Sequence, residues 1–129
     1  MCKTIKQKLK FRLSPERVYH LLVDAKLHAA LTGQKAEIDE QVGGRFSTRA
    51  GRVTGINVDL VPGKRVVQAW RTKEFPDGIF SMATFQLVRT KDGGTDLTLI
   101  HRGVPKELIP AVERDWRECY WEKIRALPK

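Results

Sequence analysis

The first stretch of the chain alternates between apolar and polar residues. Its odd positions carry the apolar side chains Ile5, Leu9, Phe11 and Leu13. Its even positions carry the basic side chains Lys6, Lys8, Lys10 and Arg12. Gln7 is the polar exception on the odd positions. Because successive strand residues face opposite sides of a sheet, we predict a strand over residues 5–13 with its basic face in solvent.

Two short helices are predicted to follow this strand. Ser14 is a preferred N-cap, and Pro15 suits the first helical position, where a missing N–H costs little. The apolar stripe of this helix is Val18, Leu21 and Leu22. Asp24 can cap a second helix, which we expect to end near Leu31 before a stop signal at Gly33.

The middle of the chain predicts six further strands. They are expected over residues 35–39, 45–49, 52–60, 65–73, 79–88 and 95–102. Clusters of Gly, Pro and Asp separate them, and such clusters are typical of turns. Connections this short favour antiparallel neighbours over helical crossovers.

A long amphipathic helix is predicted over residues 109–127. Its apolar stripe, spaced by three or four residues, is Val112, Trp116, Tyr120, Ile124 and Leu127. Trp121 points away from this stripe, so we expect it to cover a neighbouring loop or to be partly exposed. The order of elements predicts an α+β helix-grip fold, in which a seven-stranded curved antiparallel sheet wraps on the C-terminal helix. With 129 residues, we expect one domain over residues 1–129.

The groove between such a sheet and its helix is a candidate ligand site. The candidate lining residues are Trp70, Phe85, Leu99, His101, Trp116 and Tyr120. Large aromatic side chains are also the usual content of a core, so both interpretations stay open. His101 is either a hydrogen-bonded structural histidine or an acid–base group. Gln68, if it faces inward, bonds either a ligand or a backbone group.

The basic residues are unevenly distributed along the chain. Lys and Arg number 24 against 15 Asp and Glu, which gives a net charge of +9. Residues 1–17 hold six basic side chains and one acidic, and residues 45–73 hold seven basic side chains and Asp59 alone. The excess therefore lies on two segments rich in predicted strands.

The sequence pattern excludes several classes of protein. No apolar run approaches the 18 residues of a membrane-spanning helix, and the first residues lack a signal-peptide pattern. Cys2 and Cys119 are too few for a disulfide framework, so we expect reduced thiols in a cytoplasmic protein.

Catalytic and metal-binding motifs are not found in the sequence. It contains no Cys-x-x-Cys, His-Glu-x-x-His, phosphate loop or Gly-x-Ser-x-Gly. His20, His28 and Cys2 fall on separate predicted elements, which does not favour a metal site. We therefore predict no catalytic residues, no metal and no cofactor.

A basic surface is the candidate for partner binding. Its residues are Lys6, Lys8, Lys10, Arg12, Arg45 and Arg71. Lysines on an edge strand also block aggregation between sheets, so edge protection is the alternative interpretation. Specific nucleic-acid binding is not predicted, because aromatic residues for base stacking are not interleaved with the charges of the first strand. An acidic protein surface fits better.

A set of short motifs resembles one family along almost the whole chain. The motifs are SPE at 14–16, VGGRF at 42–46, GRVTG at 51–55, DLVP at 59–62, WR at 70–71, FPDG at 75–78, TDL at 95–97, RGVP at 102–105 and WRECYWE at 116–122. In this order they resemble the activator-of-heat-shock-protein-90-ATPase homologue family. That family belongs to the START-like, Bet v 1-like (SRPBCC) superfamily, which has the helix-grip fold.

The resemblance implies a function and an alternative. It is strongest with the C-terminal domain of the eukaryotic co-chaperone, whose separate N-terminal domain supplies most of the ATPase stimulation. We accordingly expect a non-enzymatic binding protein that docks on a heat-shock protein 90-type chaperone through the basic surface, without the contribution of that second domain. The alternative, implied by the wider superfamily, is a carrier of a small hydrophobic ligand in the groove.

Overall fold

A computed structural model describes residues 4–128 of the chain. Within these residues, seven antiparallel strands form one sheet in the order β1-β7-β6-β5-β4-β3-β2. The strands are β1 Ile5–Phe11, β2 Glu37–Ile38, β3 Arg45–Thr48, β4 Val53–Val61, β5 Arg65–Thr72, β6 Ser81–Arg89 and β7 Thr95–Arg102. The C-terminal helical segment packs on one face of this curved sheet. The predicted α+β helix-grip fold is confirmed.

The two short helices begin and end where their capping residues predict. Helix α1 spans Pro15–Val23, and the Ser14 hydroxyl accepts a hydrogen bond from the Arg17 backbone N–H at 3.2 Å. Helix α2 spans Ala25–Thr32 after its N-cap, Asp24. Gly33 ends α2 in the left-handed region at a φ of 74°, where a residue without Cβ is favoured.

Three strands are clearly shorter at one or both ends than the sequence pattern predicts. The strand predicted over 35–39 contains only Glu37–Ile38, because the chain turns tightly after it: a Cβ on Gly44 would lie 2.6 Å from the Asp39 carbonyl oxygen. The strand predicted over 79–88 begins at Ser81, because the Ile79 N–H bonds the Pro76 carbonyl inside a turn. The first strand likewise ends two residues early, at Phe11.

The C-terminal helix differs from the prediction in its middle. It runs as α3 Ile109–Asp115, a π-helical turn Trp116–Trp121 and α4 Glu122–Arg125. In the π-helical turn the Glu122 N–H bonds the carbonyl of Arg117, five residues before it. Such a turn holds one residue more than an α-helical turn.

The extra residue makes the prediction for Trp121 wrong. In an α-helix at 3.6 residues per turn, positions 116 and 121 would point in different directions. The wider turn returns position 121 to the side of the sheet, so Trp121 is 1% exposed and packs in the core. Trp116 and Tyr120 are buried as well.

The two faces of the sheet differ along each central strand. On β6 the inner positions are buried: Ser81, Ala83, Phe85 and Leu87. The positions between them, on the outer face, are exposed or half-buried. Among the described helices, none is both long and apolar enough to span a bilayer. Cys119 is a free thiol, and Cys2 lies outside the described residues.

Candidate functional site

Side chains fill the groove between the inner face and the C-terminal helix. The structure brings the six predicted groove residues together in the core, each at most 3% exposed. A cavity of about 10 Å³ remains beside four of them, Trp70, Phe85, Trp116 and Tyr120. That volume suits about one water molecule, whereas sites for drug-sized ligands measure roughly 300–1,000 Å³. Ligand binding by these residues stays a prediction.

Trp116 is the centre of an aromatic cluster. Its ring lies 5.4 Å from Trp70 and 5.4 Å from Phe85 between centroids. Trp121 stacks on Trp116 at 5.6 Å with an interplanar angle of 15°, and Tyr120 lies 4.9 Å away on the same helix. These distances are those of favourable aromatic pairs, so the cluster ties the helix to strands β5 and β6.

His101 is fixed in a chain of hydrogen bonds inside the core. The Trp116 indole N–H, which can only donate, donates to His101 Nδ1 at 3.1 Å. The proton of the neutral imidazole is therefore on Nε2, which donates to Ser81 Oγ at 2.7 Å. The Ser81 hydroxyl in turn donates to the Trp70 carbonyl at 2.7 Å. Both ring nitrogens thus have partners.

This environment keeps His101 neutral. The residue is 0% exposed, and burial lowers its pKa from 6.5 to about 3. A general base near neutral pH needs a pKa near that pH and a free lone pair. Because the Nδ1 lone pair of His101 is already engaged, the geometry supports the structural interpretation of this histidine.

Another buried histidine, His28, lines the small cavity beside Trp70 and Tyr120. Its Nδ1 lies 3.1 Å from the Leu21 carbonyl, while its buried Nε2 has no hydrogen-bond partner among the described residues. Burial lowers the pKa of His28. Thr48 and Tyr120 also line this cavity, and burial raises the pKa of Tyr120 to about 12. The cavity is therefore lined by neutral polar groups as well as aromatic rings.

Gln68 faces inward and is used by the fold. Its side-chain N–H donates to Asn57 Oδ1 at 3.1 Å, and Asn57 donates onward to the Asp39 carbonyl at 2.9 Å. The sequence predicted a ligand or a backbone group as the partner of Gln68, whereas the structure shows a side chain on the neighbouring strand. These bonds tie β5 to β4 and to the turn after β2.

Arg49 is a buried charge that sequence reasoning missed. It is 8% exposed and pairs with Asp115 of α3 at 3.2 Å. Arg49 and Ala50 both have positive φ, 53° and 58°, in the turn between β3 and β4. The pair ties this turn to the C-terminal helix. Among residues 4–128, no three His, Cys, Asp or Glu side chains lie close enough to hold a metal ion.

Gln7 is the second residue whose role sequence reasoning missed. Its Oε1 accepts from the Trp121 indole N–H at 2.6 Å, and its Nε2 donates to the Glu113 carbonyl at 3.2 Å. A polar residue on the inner parity of β1 was a detectable signal for an inward hydrogen bond. The partner was not detectable, because Trp121 reaches β1 only through the π-helical turn.

The predicted basic surface is divided into two parts. We call Lys6, Lys8, Lys10 and Arg12 the basic edge, because they follow the outer side of edge strand β1 and are all exposed. Lys10 lies 3.9 Å from Asp96 of β7. Arg45 on β3 is five strand spacings away from β1, about 24 Å at roughly 4.8 Å per spacing.

Arg71 belongs with Arg45 by position but differs in its contacts. Its guanidinium donates three hydrogen bonds, to the carbonyls of Phe75, Pro76 and Ile79, at 3.0–3.3 Å. It also lies over the Phe80 ring, 5.6 Å from the centroid. Arg71 therefore holds the loop between β5 and β6 in place.

Comparison with protein families and curated proteins gives consistent matches. The family model "Activator of Hsp90 ATPase homolog 1-like protein" matches residues 12–129. Activator of 90 kDa heat shock protein ATPase homolog 1 of Homo sapiens is 35% identical over 115 residues, covering 89% of this chain and 34% of that protein. The corresponding homolog of Dictyostelium discoideum is 28% identical over 123 residues, covering 95% and 32%. The chain thus spans about a third of the length of these relatives.

Solved structures share the fold. An Hsp90 activator from Plasmodium falciparum superposes with a TM-score of 0.89 at 22% identity, covering 94% of this chain and 92% of that one. The Aha1 dimer from Colwellia psychrerythraea superposes with a TM-score of 0.80 at 16% identity, covering 97% and 96%. At these identities the likeness concerns the fold.

Proposed function

The chain belongs to the Activator of Hsp90 ATPase homolog 1-like protein family, as its motifs predicted, and from this membership we propose that it is a non-enzymatic protein that docks on an Hsp90-type chaperone. The observation that carries the proposal is the match over residues 12–129, together with relatives named as activators of that ATPase. A cytosolic location is part of the proposal.

The proposed contact surface is the exposed, positively charged part of the sheet. It comprises the six residues predicted from the sequence: the basic edge and Arg45, which are exposed, and Arg71, which is half-buried. Its support is electrostatic: side chains that carry most of the basic excess of residues 1–17 project from one strand into solvent. Opposite charges on a partner would steer association and fix orientation.

The proposed effect on the chaperone is a shift between its conformations. A docked protein changes such an equilibrium only by binding one state more tightly than the other. We propose that the complex favours the closed, ATP-hydrolysing state of the chaperone. The inner face contributes rigidity to this docking unit, because its polar groups are engaged within the core.

The proposal is tested by titrating the full chain into an Hsp90-type chaperone in a calorimeter at low and high salt. The test variant replaces Lys6, Lys8 and Lys10 with alanine. The matched control removes the same charge from exposed lysines elsewhere, as Lys26→Ala, Lys91→Ala and Lys106→Ala.

We expect wild-type binding that weakens with salt. At about 0.2–1 kcal/mol for each exposed ion pair, the test variant should bind roughly tenfold more weakly, and the control less than threefold. No binding at low salt would refute the docking function. An affinity that does not depend on salt, or equal losses of affinity in the test variant and the control, would refute the electrostatic surface alone.

A further inference from the structure

A row of five residues crosses the outer face of the sheet from strand to strand. Arg45 is paired with Ile56, Ile56 with Ala69, Ala69 with Met82, and Met82 with Arg102. We call these five residues the outer row. Its four strand spacings amount to about 19 Å, with an apolar centre and an arginine at each end.

Exposed apolar side chains surround the centre of this row. Ile56 is 38% exposed and Met82 39%, and beside them the loop after β5 presents Ile79 at 44% and Phe80 at 47%. Large exposed apolar groups that lie together, and are flanked by polar residues, mark interaction sites more often than isolated ones do.

An open groove of about 680 Å³ lies at the Arg45 end of the outer row, lined by residues of β2, β3 and β4 and by Phe80. Its floor includes Thr54 and Ile56 of β4, and Phe80 is one wall. The other wall is the β2 edge with Glu37 and Asp39, where Glu37 pairs with Lys35 at 3.4 Å.

The loop that carries Phe80 is held on both sides of the sheet. On the outer side, Arg71 binds three loop carbonyls and lies over the Phe80 ring. On the inner side, Phe75 is 3% exposed and packs edge-on against Trp70, 5.9 Å between centroids. An anchor that is rigid before binding loses less entropy on binding, so Phe80 has the properties of a contact residue.

The two ends of the outer row carry charge that the fold leaves unused. Arg45 and Arg102 are exposed, and neither has an ion-pair partner among residues 4–128. By contrast, Arg65 on the same face is paired with Asp59 at 2.8 Å. Unpaired cations at both ends complement carboxylates on a partner.

We propose that the outer row and Phe80 dock a protein segment that presents apolar side chains between two carboxylates about 20 Å apart. The proposal deepens the proposed function, on which it rests, by stating the chemistry of the partner segment. The groove contains Arg45, Ile56 and Phe80, and the outer row continues beyond it through Met82 to Arg102. A concave surface with exposed apolar side chains between two arginines fits a peptide segment. A lipid surface would require apolar side chains that protrude beyond the charges.

The test uses the chaperone and a defined peptide as two separate probes. The peptide has seven residues, with glutamate at each end, leucine at its third and fifth positions and serine between. In an extended chain these four side chains share one face, and the two glutamates lie about 20 Å apart. A second peptide replaces the leucines with serine, and vesicles of phosphatidylcholine with phosphatidylserine are the third probe.

The variants are Phe80→Ser and Met82→Ser, with Val88→Ser as the matched control. Val88 is 62% exposed on the outer face of the same strand as Met82, but it is paired with Asp96 and is not in the outer row. Chaperone affinity is measured by calorimetry and peptide binding by amide NMR shifts of the ¹⁵N-labelled full chain. Melting temperatures check that each variant is folded.

We expect peptide-induced shifts along the outer row and Phe80, and at least tenfold weaker chaperone binding for Phe80→Ser and Met82→Ser. Val88→Ser should stay within twofold of wild type, and the serine peptide should give no shifts. If the chaperone does not bind but the leucine peptide shifts the outer row, the proposed function fails and this inference stands.

Other results overturn the inference. One such result is chaperone binding that is unchanged in Phe80→Ser and Met82→Ser, together with no peptide-induced shifts on the outer row. It would refute this site and would not contradict the proposed function. Vesicle binding that depends on Phe80, without peptide or chaperone binding, replaces the protein partner with an anionic membrane. Failure of all three probes refutes both proposals.

Discussion

The inner and outer faces of the sheet use the same kinds of residues in opposite ways. On the inner face, aromatic rings stack on one another, and the polar groups of Gln7, Gln68 and His101 have partners inside the fold. On the outer face, Phe80 and Met82 are exposed and Arg45 has no ion-pair partner in the described part of the chain. The inner face therefore supplies stability, and the outer face has bonding capacity left for another molecule.

The first test of this contrast removes Trp116, the centre of the aromatic cluster on the inner face. Trp116→Ala deletes the stack with Trp121 and the hydrogen bond to His101, and leaves a cavity. We expect the free energy of unfolding to fall by about 3–5 kcal/mol, the range for large aromatic truncations in cores. Urea denaturation measures it. The contrast would be contradicted if Trp116→Ala lowered the free energy of unfolding no more than Phe80→Ala, a truncation on the outer face, does.

The second test is to change the pH, because His101 is buried in its neutral form. Its pKa is lowered from 6.5 to about 3 by burial, so between these values the unfolded chain binds a proton that the folded chain does not. Stability from this residue is therefore complete above pH 6.5 and is lost as the pH falls. We expect a loss of about 3 kcal/mol between pH 6.5 and 4.

A pair of variants isolates the contribution of His101 to this pH dependence. His101→Gln should flatten the decline of unfolding free energy with falling pH, and His20→Gln, at an exposed position of α1, is the matched control. Buried His28, whose pKa is also lowered, contributes to the decline in the same direction. Identical pH curves for the wild type and His101→Gln would show that His101 is accessible to protons in the folded state.

The third test compares two neighbours on β1 that face opposite sides. Gln7→Met leaves the Trp121 indole N–H and the Glu113 carbonyl without their partner, which should cost about 1–3 kcal/mol. Lys8→Met, on the outer side, should change stability by less than about 0.5 kcal/mol. Thermal and urea unfolding of the two variants give the comparison, and equal costs would argue against the Gln7 hydrogen bonds.

The smallest effect on stability is expected for substitutions on the outer face, and these test the difference between the two faces most directly. Phe80→Ser and Met82→Ser should alter the free energy of unfolding by only about 0.5 kcal/mol, as is usual at exposed positions. A loss above about 2 kcal/mol in urea denaturation would show that these side chains support the fold, and that their exposure does not mark a binding surface.

Strand parity made much of the inner face predictable. Phe85, Leu99 and His101 were assigned inward from alternation, and all three are buried. Alternation works there because one side of each strand must be apolar to pack on the helix. Trp70 was placed with them by alternation as well, and Trp116 and Tyr120 by helical spacing, although the sequence could not show how completely the six residues fill the space.

Features that depend on an irregular backbone were not predictable. The inward position of Trp121 requires the π-helical turn, and a period of 3.6 residues cannot reveal one added residue. The outer row requires the strand register, including the shift in β4 between Asn57 and Asp59, which no single-strand pattern contains. The contacts of Arg71 depend on the path of a loop, so its charge alone could not reveal that it also holds this loop.

The burial of every tryptophan has a practical consequence for spectroscopy. The chain has three tryptophans, Trp70, Trp116 and Trp121, and each is at most 3% exposed within one stacked cluster. Indole emission therefore reports on the inner face alone. A molecule that entered the groove would change the emission spectrum, whereas a partner on the outer face would leave it nearly constant. A single fluorescence titration can thus show which of the two faces a ligand or partner occupies.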